Sequence, residues 1–232
     1  MAKLECHIYR LGTFEYHRAW DLQVRLAQAI RDGQQPNTLL LLEHPHVYTR
    51  GRLSNPEHIL LTPAQLMKQG IDVVEADRGG QITYHGPGQL VAYPVVNLRE
   101  WGGPLKYVRT LEQIIIRSLV DFGIEVGLVE GLTGVWADGR KIAAIGVKIS
   151  RGVAYHGFAI NVNTDLSYFE HIVPCGITDR EVTSMAQMLG ESVDLEAVQY
   201  SVAYQFGRGM GLRMVEADEA TILASSPLAG ED

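Results

Sequence analysis

The chain has 232 residues, 46% of them hydrophobic and 20% charged, with a net charge of −7. That length can bury a sizeable core, and the negative balance argues against nucleic acid as a partner. Its two cysteines, Cys6 and Cys175, lie far apart, which excludes a disulfide framework or a zinc site by spacing. The opening MAKLECHIYRLG lacks the pattern of a signal peptide, and no apolar run is long enough to span a bilayer. A cytoplasmic, reducing location is expected.

Glu5 to Arg10 reads as a first strand, with Cys6 structural. Tyr16 to Arg31 reads as a helix with Trp20, Val24, Ala27 and Ile30 in one stripe and Gly33 past its end. Thr38 to Glu43 is a continuous apolar run, hence a strand buried on both faces. His44 and His46 follow without a third ligand nearby, so this segment reads as a surface or site loop made cationic by Arg50 and Arg52. Thr62, Pro63 and Gly70 bound a short helix. Ile71 to Ala76 is a strand.

The stretch Asp77 to Pro94 is unusual. Gly79, Gly80, Gly86 and Gly88 are mixed with Arg78, Thr83, Tyr84 and His85. No Gly-Lys-Ser/Thr follows, and Leu90-Val-Ala-Tyr-Pro reads as a strand, so neither phosphate-loop motif fits. A glycine-rich turn and the polar wall of a pocket both remain open. Pro104 to Phe122 reads as a helix with Leu105, Val108, Leu111, Ile115 and Leu119 on one side. A strand is expected at Glu125 to Val129, and Gly134 to Ala137 with the Asp138-Gly-Arg turn leads into the next hairpin.

Lys141 to Ile149 and Tyr155 to Val162 read as a hairpin turning at Arg151-Gly152. That register sets Gly146 opposite Gly157 and Ala144 opposite Ala159, on one face. A floor this small admits a close approach to the backbone, or packs tightly against a helix. By strict alternation Lys141 faces away from Ala144 and Gly146, whereas Lys148 shares their face. Cys175 follows in Pro174-Cys-Gly, either as a small buried residue or as a nucleophile. A nucleophilic thiol needs a cation, a base or a helix N-terminus beside it. Thr178 and Glu181 look like a capping box that opens a helix to Leu189. A last helix starts near Leu195, and 216–232 is acidic. No linker divides the chain. We therefore expect an α/β fold, a single domain with a mixed β-sheet flanked by helices.

Five motifs in order, RGGQITYHGPGQLVAYP, GVW, KIAAIGVKIS, HGFAINV and PCGI, resemble the lipoyl(octanoyl) transferase family, octanoyl-[acyl carrier protein]:protein N-octanoyltransferases. The likeness runs from the first helix to the helix after Cys175. It implies a fold similar to the catalytic fold of biotin and lipoate protein ligases, with a catalytic domain over 1–215 and a flexible acidic tail over 216–232. It implies transfer of octanoyl from octanoyl-acyl carrier protein to a lysine of lipoyl domains, in 2-oxoacid dehydrogenase subunits and glycine cleavage H protein. This would be the first step of endogenous protein lipoylation. Cys175 would carry the acyl thioester and Lys141 would lower its pKa. Arg78, Gly79, Gly80, Gln81, Ile82, Thr83, Tyr84, His85, Ala144, Ile145, Gly146, Gly157, Phe158 and Ala159 would line the acyl pocket.

No metal, cofactor, nucleic acid or membrane is implied. The expected protein partners are acidic, so a docking patch is expected among Arg50, Arg52, Arg78, Lys148 and Arg151. Three other classes stay in view: an ATP-dependent lipoate or biotin ligase, a Cys–His amidotransferase or protease using His85 or His156, and a non-catalytic acyl-binding module.

Overall fold

In chain order the elements begin with β1 (Glu5–Thr13), α1 (Tyr16–Arg31), β2 (Asn37–Glu43) and β3 (Val47–Arg50). Next come α2 (Pro63–Lys68), β4 (Asp72–Glu75), β5 (Ile82–His85), β6 (Gln89–Asn97) and α3 (Pro104–Val120). The second half holds β7 (Gly127–Val129), β8 (Leu132–Ala137), β9 (Arg140–Ser150) and β10 (Val153–Asn161). It closes with α4 (Met185–Leu189), α5 (Leu195–Met210), β11 (Arg213–Glu216) and α6 (Glu219–Ala224). This computed structural model describes residues 4–99, 101–173 and 181–224.

Eight strands form a mixed sheet in the order β11-β1-β2-β6-β10-β9-β8-β7. β1 is parallel to both β11 and β2, and the remaining pairs are antiparallel. β2 shows why the sheet is central. Leu39 and Leu41 pack into one cluster with α3 and α5, while Leu40 and Leu42 pack into another with α1 and Ile222 of α6. All four leucines are fully buried, as expected for a strand covered on both faces.

Three expectations change. First, the segment after His44 is not all loop: β3 pairs with β4 and β5 in a separate three-stranded sheet. Second, the helix stripes are rotated. α1 buries Tyr16, Ala19, Leu22, Gln23, Leu26, Ala27 and Ile30 and leaves Val24 exposed. α3 buries Tyr107, Ile114 and Ser118 beside Leu111, Ile115 and Leu119, and leaves Leu105 exposed. Third, the helix after Cys175 starts at Met185 with Ser184 as its cap, not at Glu181. Thr178 lies outside the described residues. Packed structure also continues past residue 215, since β11 reaches Glu216 and α6 buries Ile222.

Candidate active site

The β9–β10 hairpin is the floor of the site. Its register sets Gly146 opposite Gly157 and Ala144 opposite Ala159. Each glycine leaves room for protein. A Cβ on Gly157 would lie 2.1 Å from the Ala92 carbonyl oxygen and 2.6 Å from Pro94 Cδ. A Cβ on Gly146 would lie 3.1 Å from Arg78 Cδ and 3.2 Å from the Gly79 carbonyl oxygen. The Gly79 N–H also donates to the Val147 carbonyl at 3.0 Å. The close approach expected at this floor is therefore made by β6 on one side and by the Arg78–Gly79 loop on the other.

Lys141 lies on the same face as Ala144 and Gly146, against strict alternation. The cause is a β-bulge. Val135 pairs with Ala143 but the next residue, Trp136, pairs with Lys141, so Ile142 is extra. One extra residue reverses the parity of everything before it. Two neighbours shape the space around the Lys141 side chain. Gly134, at φ +125°, would place a Cβ 2.7 Å from the Ala143 carbonyl and 3.5 Å from Lys141 Cε. The Lys141 Nζ sits 4.8 Å from the centre of the Trp136 ring. The Lys141 main chain is bound too: its N–H donates to Glu181 O at 3.0 Å, and its carbonyl accepts from Thr183 N–H at 2.9 Å. Upstream, Val173 N–H donates to His58 O at 2.9 Å. Cys175 itself lies outside the described residues.

A cavity of about 280 Å³ opens on the α1 face of the large sheet. Lys141, Ala144, Ile145, Gly146, Gly157, Phe158 and Ala159 line one side, and Arg78, Gly80, Gln81, Ile82, Thr83 and His85 the other. Gly79 and Tyr84 are not among its lining residues. Gly79 faces β9 as described. Tyr84 is on the opposite face of β5, stacked flat on Tyr168 at 4.8 Å and edge-on to Phe169 at 5.4 Å. Phe169 does reach the cavity, with Tyr16, Gln89, Tyr93, Trp136, His156 and Asn161, none of which was expected there. The signal for three of them was visible: Gln89, His156 and Asn161 are polar residues inside apolar strands.

Those polar residues form a chain whose proton positions follow from fixed carbonyls. Asn161 Nδ2 donates to Thr183 O at 3.0 Å, so its Oδ1 is an acceptor. Gln89 Nε2 donates to that Oδ1 at 3.0 Å and to Tyr84 O at 3.1 Å. Gln89 Oε1 therefore accepts from His85 Nδ1–H at 2.7 Å, which leaves the lone pair of His85 on Nε2. Burial holds the His85 imidazole well below its usual pKa, and the neighbouring His44 adds to this. His85 is thus a neutral acceptor in the cavity wall. His44 donates Nδ1–H to Phe14 O at 2.6 Å and meets Tyr93 Oη through Nε2 at 2.8 Å. Both its nitrogens are taken, and among the described residues no cluster of three or more His, Cys, Asp or Glu is arranged to hold a metal.

A second network lies beside the cavity, on the same face of the hairpin, and reaches it through His156. Asp77 accepts from His156 Nε2 at 2.7 Å, from Tyr155 Oη at 3.0 Å and from Lys148 Nζ. Burial pushes the Asp77 carboxyl up, but these hydrogen bonds outweigh it and hold it well below the usual carboxylate range. Pro94 explains the local backbone. It has no N–H, and β10 is unpaired with β6 between Ala154 and Phe158. His156, at φ +55°, donates its N–H to Gln23 Oε1 at 2.8 Å instead.

The expected docking patch is smaller than the sequence indicated. Arg78 is buried and bonded to Thr49, Lys148 is paired with Asp77, and Arg50 is paired with Glu75. Arg52 and Arg151 remain exposed. Cys6 is fully buried, and burial pushes its thiol up to about 12, so it is structural.

The model of the lipoyl protein ligase A/B catalytic domain matches residues 15–207. The chain belongs to this family. An octanoyltransferase of Chloroflexus aggregans is 53% identical over 195 residues, covering 82% of this chain and 88% of that protein. Two solved members of the wider fold are more distant. A bi-partite lipoate protein ligase of Thermoplasma acidophilum, from a study that includes its E2 lipoyl domain, has a TM-score of 0.73 at 17% identity. It covers 97% of this chain and 90% of that one. The biotin protein ligase of Aquifex aeolicus, in complex with biotin and ATP, has a TM-score of 0.55 at 17% identity, covering 88% and 70%. The expected mixed-sheet fold, similar to lipoate and biotin ligases, is the observed one.

Proposed function

We propose that this protein transfers an octanoyl group from octanoyl-acyl carrier protein to the acceptor lysine of lipoyl domains, through a thioester on Cys175. The observation that carries the reading is one face of β9 that presents Lys141, Ala144 and Gly146 to a single cavity. The cavity is at the small end of ligand pockets, which run from about 300 Å³ upward, and so suits a short acyl chain. Burying roughly six methylenes would contribute about 5 kcal/mol before the costs of binding. Ile82, Val91, Ile145 and Phe158 supply apolar lining.

In this mechanism the Lys141 ammonium favours the Cys175 thiolate. The thiolate attacks the carrier thioester. Backbone N–H groups near Cys175 and around Gly146 stabilise the oxyanion. The carrier thiol leaves with a proton, and the octanoyl group stays on Cys175. The acceptor lysine then attacks the new thioester. Its proton goes to Lys141, which gave its own to the departing carrier thiol, and the C–S bond breaks, so that the amide product leaves and the Cys175 thiolate is restored. The donor thioester is already activated, so the scheme uses no nucleotide. The acceptors would be the lipoyl domains of 2-oxoacid dehydrogenase subunits and glycine cleavage H protein.

Intact-mass spectrometry tests this directly. Incubation with octanoyl carrier protein should add one octanoyl group, lost in Cys175→Ser and discharged by a lipoyl domain. An unmodified wild type that instead labels a lipoyl domain from free octanoate and ATP would make it a ligase.

A further inference from the structure

We propose that Trp136 is the positioning residue for Lys141, holding its ammonium in the cavity wall. This rests on the reading of Lys141 and Cys175 given above. A lysine at a strand entry ordinarily extends its long side chain into water. Here three features act against that. The bulge at Ile142 turns Lys141 onto the cavity face. Gly134 lets β8, two residues before Trp136, lie close against β9, where a Cβ would meet the Ala143 carbonyl at 2.7 Å. The indole then faces the ammonium at 4.8 Å, within the range where a cation is attracted to the ring quadrupole.

The indole is itself well fixed. Trp136 is 5% exposed. It lines the cavity and also borders a second cleft with Ile124, Met188 and Leu189. Trp136 touches no reacting atom in this scheme. It acts by keeping the positive charge where the thiolate forms, and its loss would let the ammonium move away.

Two readouts test this. In protein labelled at lysine, with Lys141→Ala to assign the signal, the Lys141 ε-methylene proton resonance should be shifted upfield by the ring current. Trp136→Leu should abolish that shift. At pH 7, alkylation of Cys175 by iodoacetamide should slow about tenfold in Lys141→Ala and about three- to fivefold in Trp136→Leu. Trp136→Phe, which keeps an aromatic face, should recover most of the rate. An unshifted Lys141 resonance in the wild type overturns the inference without any Trp136 variant, so it remains testable if Trp136→Leu does not fold. A normal alkylation rate in Trp136→Leu, beside a slow one in Lys141→Ala, overturns the positioning role alone. A normal rate in Lys141→Ala overturns the Lys141–Cys175 pairing itself, and the role of Trp136 with it.

Discussion

Tyr84 has no exposed surface, yet its importance to the cavity is indirect. Its hydroxyl meets His46 Nδ1 at 2.8 Å, its face covers Tyr168, and its edge contact is with Phe169, which reaches the cavity. Even its turn neighbour is constrained, because a Cβ on Gly86 would lie 1.8 Å from the Tyr84 hydroxyl oxygen. The hydroxyl and the ring can be separated. Tyr84→Phe should cost about 1 kcal/mol, the worth of one hydrogen bond, and leave the KM for the acyl donor unchanged. Tyr84→Leu should cost about 2–4 kcal/mol by removing the stack and raise that KM, because Phe169 loses its support. Urea unfolding and steady-state kinetics on the two variants decide this. Equal KM values would show that Phe169 holds its place unaided.

At the scale of elements, the β9–β10 hairpin was legible because turn residues and β-branched runs fixed its register. The use made of the register was not. Opposed glycines announce a close approach, but the approaching groups, Ala92 and Arg78, are distant in sequence. The bulge at Ile142 was equally hidden, since alternation assumes an unbroken ladder. The four-residue strands of the small sheet are too short to show a period, so β3 read as loop. In α1, Gln23 is buried by a bond to the His156 main chain, a partner that no helical periodicity reveals. Most of the residues that line the cavity belong to the motifs, Gln89, Tyr93, Trp136, His156 and Asn161 among them, whereas Tyr16 and Phe169 reach it from outside the motifs. Gly157→Ala should destabilise the protein by about 2–4 kcal/mol, since its Cβ would meet β6 backbone that cannot rotate aside. A thermal melt lowered by less than about 2 °C would mean that β6 shifts freely.

Across the whole molecule, buried histidines tie stability to pH. Burial lowers His44 to about 4 and also lowers His85 and His156. The unfolded chain binds protons on these rings near pH 6.5, whereas the folded chain does not. Stability should therefore be full above about pH 7 and fall as the pH drops toward 5. The slope approaches about 1.4 kcal/mol per pH unit for each histidine that remains neutral in the fold. Below about pH 4 Asp77 adds to the loss, because its folded carboxyl resists a proton that the unfolded one accepts. Urea midpoints at pH 7 and pH 5 check this, and equal midpoints would refute it.

The strand order also dictates a timetable. β1 pairs with β2 almost as soon as both are made, but its other edge waits for β11, at Arg213–Glu216. Both β1 and β11 lie outside the span matched by the family, 15–207. On the ribosome, nearly the whole chain must emerge before that flank of the sheet is covered. Until then β1 offers an open row of amides to any neighbouring chain. The late arrival of β11 thus exchanges a nine-residue open edge for one of four residues, the step at which a nascent copy becomes less prone to stick to others.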